Sequence, residues 1–143
     1  MNKNTDDTEQ LSKLVDTGNP KTVLREIKII ISSIFPEFDY NQFDRVFFDI
    51  VRLFKGEYDG FKKCNTDYHD LRHTLGTLLT LARLFHGSFK NDVILTEKSV
   101  FLGLVSALMH DTGYIQSKND RLGTGAKYLR EHIIRSLLFM EKY

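Results

Sequence analysis

Residues 99–111 read SVFLGLVSALMHD, and this stretch is the strongest indication of how the chain folds. Its apolar residues recur at the three- and four-residue spacing of one helix face. They are Val100, Phe101, Leu104, Val105 and Leu108. The run ends on the adjacent polar pair His110 and Asp111, after which Thr112 and Gly113 break the helix. The stretch therefore predicts a buried helix that presents a histidine and an aspartate at its carboxyl end.

The same periodicity predicts four further helices around this stretch. In chain order they run from Asn19-Pro20 to Pro36, from Asp39 or Asn41 to Gly56, from Tyr68 to Gly87, and from near Thr124 to Tyr143. Asparagine followed by proline is a typical helix start, and glycine just past the last periodic residue is a typical helix end. No alternating run is long enough to predict a strand. The fold class expected is all-α, with about five helices.

Length, charge and cysteine content restrict the kind of protein. A chain of 143 residues with 41% hydrophobic residues is expected to form one domain, at 19–143, behind a polar tail or loose turn at 1–18. Its net charge of +1 provides no overall field for a nucleic acid polymer, so none is expected as a partner. One cysteine, Cys64, excludes an intramolecular disulfide. No signal segment or membrane span is evident, which predicts a cytoplasmic protein with no membrane partner.

Four polar residues stand out as candidates for chemistry. His69 and His73 are four residues apart, so a helix would place both imidazoles on one face. Asp111 follows a strongly apolar run, and aspartate is rarely buried unless it is paired or bound to a metal. Imidazole and carboxylate groups together suit a divalent metal ion. Two plainer interpretations remain open, namely a pair of surface histidines and a helix end where Asp111 caps the next turn.

The combination of these motifs is more specific than either alone. Tyr-His-x3-His at 68–73, followed by His-Asp at 110–111, resembles the HD-domain superfamily of metal-dependent phosphohydrolases. The first motif is most similar to the cyclic-nucleotide phosphodiesterase branch, which has Tyr-His-Asn-x-x-His-Ala there. Asp70 stands in place of the Asn and Thr74 in place of the Ala. The resemblance covers residues 66–135 and implies an HD-type helical domain.

The resemblance also implies a role for each histidine of the pattern. It makes His73, His110 and Asp111 metal ligands, with His132 as a further ligand. His69 matches the residue that contacts the scissile phosphate and protonates the leaving oxygen. The implied cofactor is one or two divalent ions of zinc, manganese, magnesium or iron. Such an ion acidifies a bound water and polarises a phosphoryl oxygen, and a nearby imidazole is suited to act as general acid.

Two arginines are predicted to contact the substrate phosphate. Arg72 lies beside His73, and Arg135 lies one turn after His132. Plainer interpretations stay open here as well. In these interpretations each arginine is a solvated charge on a helix, and His132 is an ordinary half-buried helix residue.

The function expected is hydrolysis of a phosphoester, with a nucleotide as the substrate class. The alternative is a non-catalytic helical module that binds a ligand or a partner protein. The family pattern includes a later metal-binding aspartate, whereas Asp120, in a loop, is the only aspartate after Asp111. Either the domain is incomplete at its carboxyl end, or water or another side chain replaces that ligand.

Uncovered apolar faces at 96–110 and 124–142 predict a homo-oligomer. Leu137, Leu138 and Met140 are the residues expected to lack cover on the last helix.

Overall fold

The computed structural model describes residues 15–143, which contain five α-helices. They are α1 (Pro20–Ser32), α2 (Asn41–Lys55), α3 (Leu71–Lys90), α4 (Glu97–Met109) and α5 (His132–Lys142). Short 3-10 turns occupy Thr112–Tyr114 and Gly125–Tyr128. This part of the chain has no β-strand and only an isolated bridge between Phe61 and Ser117. The prediction of an all-α domain with about five helices is confirmed.

Local capping explains where the first helices begin and end. The side-chain oxygen of Asn19 accepts hydrogen bonds from the backbone amides of Lys21 and Thr22, and Pro20 occupies the first position of α1. At the end of α2, Gly56 adopts a left-handed backbone with φ of 76°. That conformation favours glycine because a Cβ atom strains it. Both boundaries follow from short-range chemistry that the sequence displays.

The core positions the start of α3 beside the end of α4. α3 packs against α1 and α4, while α2 packs against α4 and α3. The largest fully buried residues of these helices are Ile27, Ile31, Phe43, Phe47, Ile50, Leu53, Leu75, Leu78, Leu104 and Leu108. The short connection 91–96 makes α3 and α4 antiparallel neighbours. None of the helices in residues 15–143 has the length and apolar character needed to cross a membrane.

The predicted amino-terminal tail falls only partly within the structure. Its residues 1–14 lie outside the described part of the chain. Val15 is 6% exposed and packs with the core, so the end of that segment is more than a polar turn.

The predicted fifth helix is wrong in its starting point. α5 begins at His132, and residues 125–128 form a 3-10 turn instead. The amide of Gly125 is bound to the side chain of Asn65, and the side chains of Lys127 and Tyr128 are bound to Asp120. These tertiary contacts hold the segment in a tight turn, whereas periodicity alone predicts continuous helix.

Helix α5 exposes much of its apolar surface. Ile133, Ile134, Leu137 and Leu138 are between 48% and 62% exposed. Met140 differs from the prediction, since it is partly buried against the core. Self-association stays a prediction.

We expect the double substitution Leu137→Gln and Leu138→Gln to weaken self-association, because it removes apolar surface that a second copy would cover. Sedimentation velocity over a range of concentrations measures this. Leu84→Gln is the control, since Leu84 is similarly exposed (61%) but lies on α3, outside both faces predicted to self-associate. A wild-type protein that stays monomeric at high concentration contradicts the expectation.

Candidate metal centre

The first histidine pair lies at the amino end of α3. Asp70 caps this helix, and its side chain accepts a hydrogen bond of 2.8 Å from the backbone amide of His73. His73 is therefore on the first turn of the helix, while His69 precedes the cap. The backbone oxygen of His69 accepts hydrogen bonds from the side chains of Thr66 and Cys64. The expectation that both histidines share one helix face is wrong, yet their ring centroids are 5.5 Å apart.

The second pair lies where α4 ends. His110 is the last residue of helical backbone, and Asp111 leads into the 3-10 turn. The Nδ1 atom of His110 is 2.8 Å from the backbone oxygen of Ala107. A carbonyl only accepts, so Nδ1 carries the proton in this bond, and Nε2 is the nitrogen that faces Asp111. Metal-binding histidines are usually oriented in this way.

Three imidazoles converge on one oxygen atom of Asp111. Its Oδ2 atom is 2.8 Å from Nδ1 of His69, 3.1 Å from Nε2 of His110 and 3.4 Å from Nε2 of His73. The carboxylate is 2% exposed, so the histidines replace water as its polar partners. We call these four residues the histidine–aspartate cluster.

The spacing within the cluster suits a metal ion. Ligand bonds of about 2.0–2.2 Å place two ligand atoms of one ion roughly 2.8–3.6 Å apart, depending on coordination geometry. The distances from Asp111 to His73 and to His110 lie in that range. Ligand atoms of His69, His73 and Asp111 all lie within 4.8 Å of one another, so these three residues could hold an ion. This group includes His69, which the resemblance makes the general acid.

Electrostatics inside the cluster favour an ionised carboxylate. Burial raises the pKa of Asp111, but hydrogen bonds from His110 and His69 outweigh it and lower the net pKa below the ordinary value. The hydrogen bond to Asp111 in turn raises the pKa of His110. The Asp111 carboxylate therefore keeps its negative charge in a buried position.

His132, predicted as a ligand, lies at the edge of the cluster. Its ring centroid is 6.3 Å from that of His69. The ring of Tyr114 stacks on both imidazoles, 4.3 Å from His69 and 4.4 Å from His132, with tilts of 17° and 15°. The two imidazole planes differ by 32°, so all three rings are only moderately tilted from one another. A ligand role for His132 stays a prediction.

The two predicted phosphate-binding arginines have other partners. The guanidinium of Arg72 is 3.4 Å from the carboxylate of Asp16 on the surface. Arg135 donates hydrogen bonds to the backbone oxygens of Gly113 and Ile115 and covers the ring of Tyr128. Arg135 thus attaches α5 to the turn that follows Asp111. A substrate role for either arginine stays a prediction.

Sequence reasoning assigned no role to Ser136 and left Tyr114 unassigned. The hydroxyl of Ser136 donates to the backbone oxygen of His110 and accepts from the amide of Gly113. It therefore connects α5 directly to the cluster. Nothing in the sequence indicates this contact, because the two segments are far apart in the chain. The cap at Asp70 does have a sequence signal, an aspartate directly before an apolar helix.

The approach of α5 to the cluster depends on Gly113. A Cβ atom at this position would lie 2.0 Å from the backbone oxygen of His132. We expect Gly113→Ala to lower the free energy of unfolding by about 1–3 kcal/mol, since backbone atoms must move to relieve the overlap.

Urea denaturation measures this change, and Gly87→Ala is the matched control. Gly87 lies within α3 with open space around its Cβ position, so alanine there should raise stability by up to about 1 kcal/mol. A Gly113→Ala protein as stable as the wild type would contradict the close packing of α5 on this turn.

Comparison with known proteins finds no relative: no family model, no curated protein and no solved structure matches this chain. The resemblance to the HD-domain superfamily therefore depends on the motifs alone and stays a prediction.

Proposed function

We propose that this protein is a metal-dependent phosphohydrolase that cleaves a phosphoester. The observation that supports this most is the convergence of three imidazoles on the buried, ionised carboxylate of Asp111. Aspartate is almost never fully buried unless it is paired, and buried carboxylates with shifted pKa values cluster at functional sites.

The proposal assigns His73, His110 and Asp111 to the metal ion. Imidazole nitrogens and a carboxylate oxygen suit zinc, manganese or iron. Magnesium fits this ligand set less well, because it is a hard cation that prefers oxygen ligands. When bound, the ion supplies an acidified water and polarises a phosphoryl oxygen. The hydrogen bonding of His110 agrees with this role, since its Nδ1 donates to the backbone oxygen of Ala107 and its Nε2 faces the cluster.

His69 is assigned to the leaving group. Its Nδ1 atom is 2.8 Å from the carboxylate of Asp111, and this contact orients the imidazole. A protonated imidazole beside a phosphoester can donate a proton to the departing oxygen. We propose a nucleotide as the substrate class, which the likeness of the first motif to cyclic-nucleotide phosphodiesterases supports.

One observation favours the alternative of a non-catalytic module. Asp120 is committed to the loop that contains it, since its carboxylate binds Lys127 and Tyr128 and also contacts Gln116. It is therefore not free to act as the later aspartate of the family pattern. A helical module that binds a metal without turnover is the function to test against.

Metal analysis followed by a hydrolysis assay separates these two functions. Purified protein is analysed for bound metals and assayed with bis(p-nitrophenyl) phosphate in the presence of Mn²⁺ or Zn²⁺. Asp111→Asn is the control, because it keeps the side-chain shape and removes the charge. Retained metal with turnover that Asp111→Asn lacks supports the hydrolase. Metal without turnover supports the binding module. Absence of both metal and turnover contradicts the proposed metal centre.

A further inference from the structure

The hydroxyl group of Tyr114 is buried without a partner. Tyr114 is 2% exposed, and its hydroxyl oxygen has no hydrogen bond to any residue in 15–143. A buried polar group that loses water and gains no partner costs about 1–3 kcal/mol. Native proteins retain few such groups, and each one calls for an explanation.

Packing does not explain the hydroxyl. The ring of Tyr114 stacks on the imidazoles of His69 and His132, and a phenylalanine ring would fill the same space. By comparison, the hydroxyl of Tyr128 binds the carboxylate of Asp120 at 2.5 Å. The hydroxyl of Tyr114, in contrast, makes an unfavourable contribution to the free energy of folding.

The position of Tyr114 connects it to the cluster on two sides. Its backbone amide donates to the backbone oxygen of Asp111, and its ring contacts the imidazole of His69. The Asp111 carboxylate is also close enough to raise the pKa of the phenol, in addition to the larger effect of burial. The hydroxyl is thus a neutral donor close to the cluster.

We propose that the Tyr114 hydroxyl donates a hydrogen bond to an oxygen atom of a phosphate group bound at the histidine–aspartate cluster. This inference rests on the proposed function, since it names a recognition residue for the phosphoester. Tyr114 is then a binding residue whose hydroxyl is paired only when the site is filled.

The surroundings of the hydroxyl allow such a change. The hydroxyl is sealed from solvent, so a phosphate oxygen reaches it only if a neighbouring side chain moves. The side chain of His69 is 32% exposed, and His132 is also partly exposed. Both stack on Tyr114, and either side chain would have to release a hydrogen-bond partner to move, Asp111 for His69 and the backbone oxygen of Leu129 for His132.

The test compares Tyr114→Phe with Tyr128→Phe, because both substitutions remove only a hydroxyl. Thermal unfolding of the metal-free proteins is measured first. Tyr114→Phe should leave the midpoint unchanged or raise it, since it removes an unpaired group. Tyr128→Phe should lower the midpoint by roughly 2–6 °C, since it breaks a hydrogen bond.

Binding of inorganic phosphate to the Mn²⁺-loaded proteins is then measured by calorimetry. Tyr114→Phe should weaken phosphate binding roughly 10-fold, the value of one hydrogen bond to a charged group, without changing Mn²⁺ affinity. Tyr128→Phe should bind phosphate as the wild type does.

Two results overturn the inference while leaving the proposed function in place. A lower unfolding midpoint for Tyr114→Phe shows that the hydroxyl is already paired, and unchanged phosphate affinity shows that it does not contact the ligand. If the wild-type protein binds neither Mn²⁺ nor phosphate, the proposed function fails and the inference fails with it.

Discussion

Replacement of His73 by alanine is expected to remove bound metal and hydrolytic activity together. The Nε2 atom of His73 is 3.4 Å from Oδ2 of Asp111, which is the spacing of two ligands of one ion. Residues that only orient a ligand cost roughly 10–100-fold in metal affinity when they are removed. Loss of a ligand itself should therefore weaken affinity more than about 100-fold. Elemental analysis and the hydrolysis assay measure the two losses.

His86 provides the matched control for this substitution. It is a histidine further along the same helix, α3, and it lies outside the cluster. His86→Ala should retain both metal and activity. If His73→Ala retains its metal, His73 is not a ligand and the proposed centre is wrong.

Replacement of His69 by alanine should slow hydrolysis while leaving most of the metal bound. The assigned task of His69 is to donate a proton, and a positioned general acid is worth roughly 10²–10⁴ in rate. The loss should be smaller for p-nitrophenyl esters than for alkyl esters, because p-nitrophenolate is a good leaving group that hardly needs a proton. Rates for both ester types, measured on metal-saturated protein, test this contrast.

Two results would change the assignment of His69. An equal loss for both ester types indicates a phosphate contact instead of a proton donor. Loss of metal from His69→Ala makes His69 a ligand, which the close grouping of His69, His73 and Asp111 allows. The exposure of the imidazole, at 32%, leaves it accessible to a substrate in either case.

Most of the fold could be predicted from local sequence. The cap at Asn19, the left-handed Gly56 and the apolar period of 99–111 each act within one or two helical turns. Interactions of this range depend on neighbouring residues and need no knowledge of the rest of the chain.

The start of α5 could not be predicted, for the opposite reason. Apolar periodicity predicts a helix from near Thr124, but Gly125 lies against the backbone of Tyr114, where a Cβ would be 2.0 Å from an oxygen atom. Asn65 binds the amide of Gly125 from sixty residues away in the chain. Such contacts override the local preference for helix, and no local sequence pattern predicts them.

The candidate site shows the same division. Adjacency of His110 and Asp111 and the near spacing of His69 and His73 are visible in the chain, so all four candidates could be named. Their approach to one carboxylate oxygen could not be predicted from the residues alone, because it depends on how α3 packs beside α4.

Local sequence was thus sufficient for the all-α class and for the residue types available to a metal. Tertiary packing alone settled which partners those residues have. It committed Arg135 to backbone oxygens, placed Ser136 against His110, and buried the Tyr114 hydroxyl beside the cluster. The physical reason is that helix formation is governed by short-range capping and periodicity, whereas side-chain partners are chosen among groups that only the packed chain brings within a few ångströms.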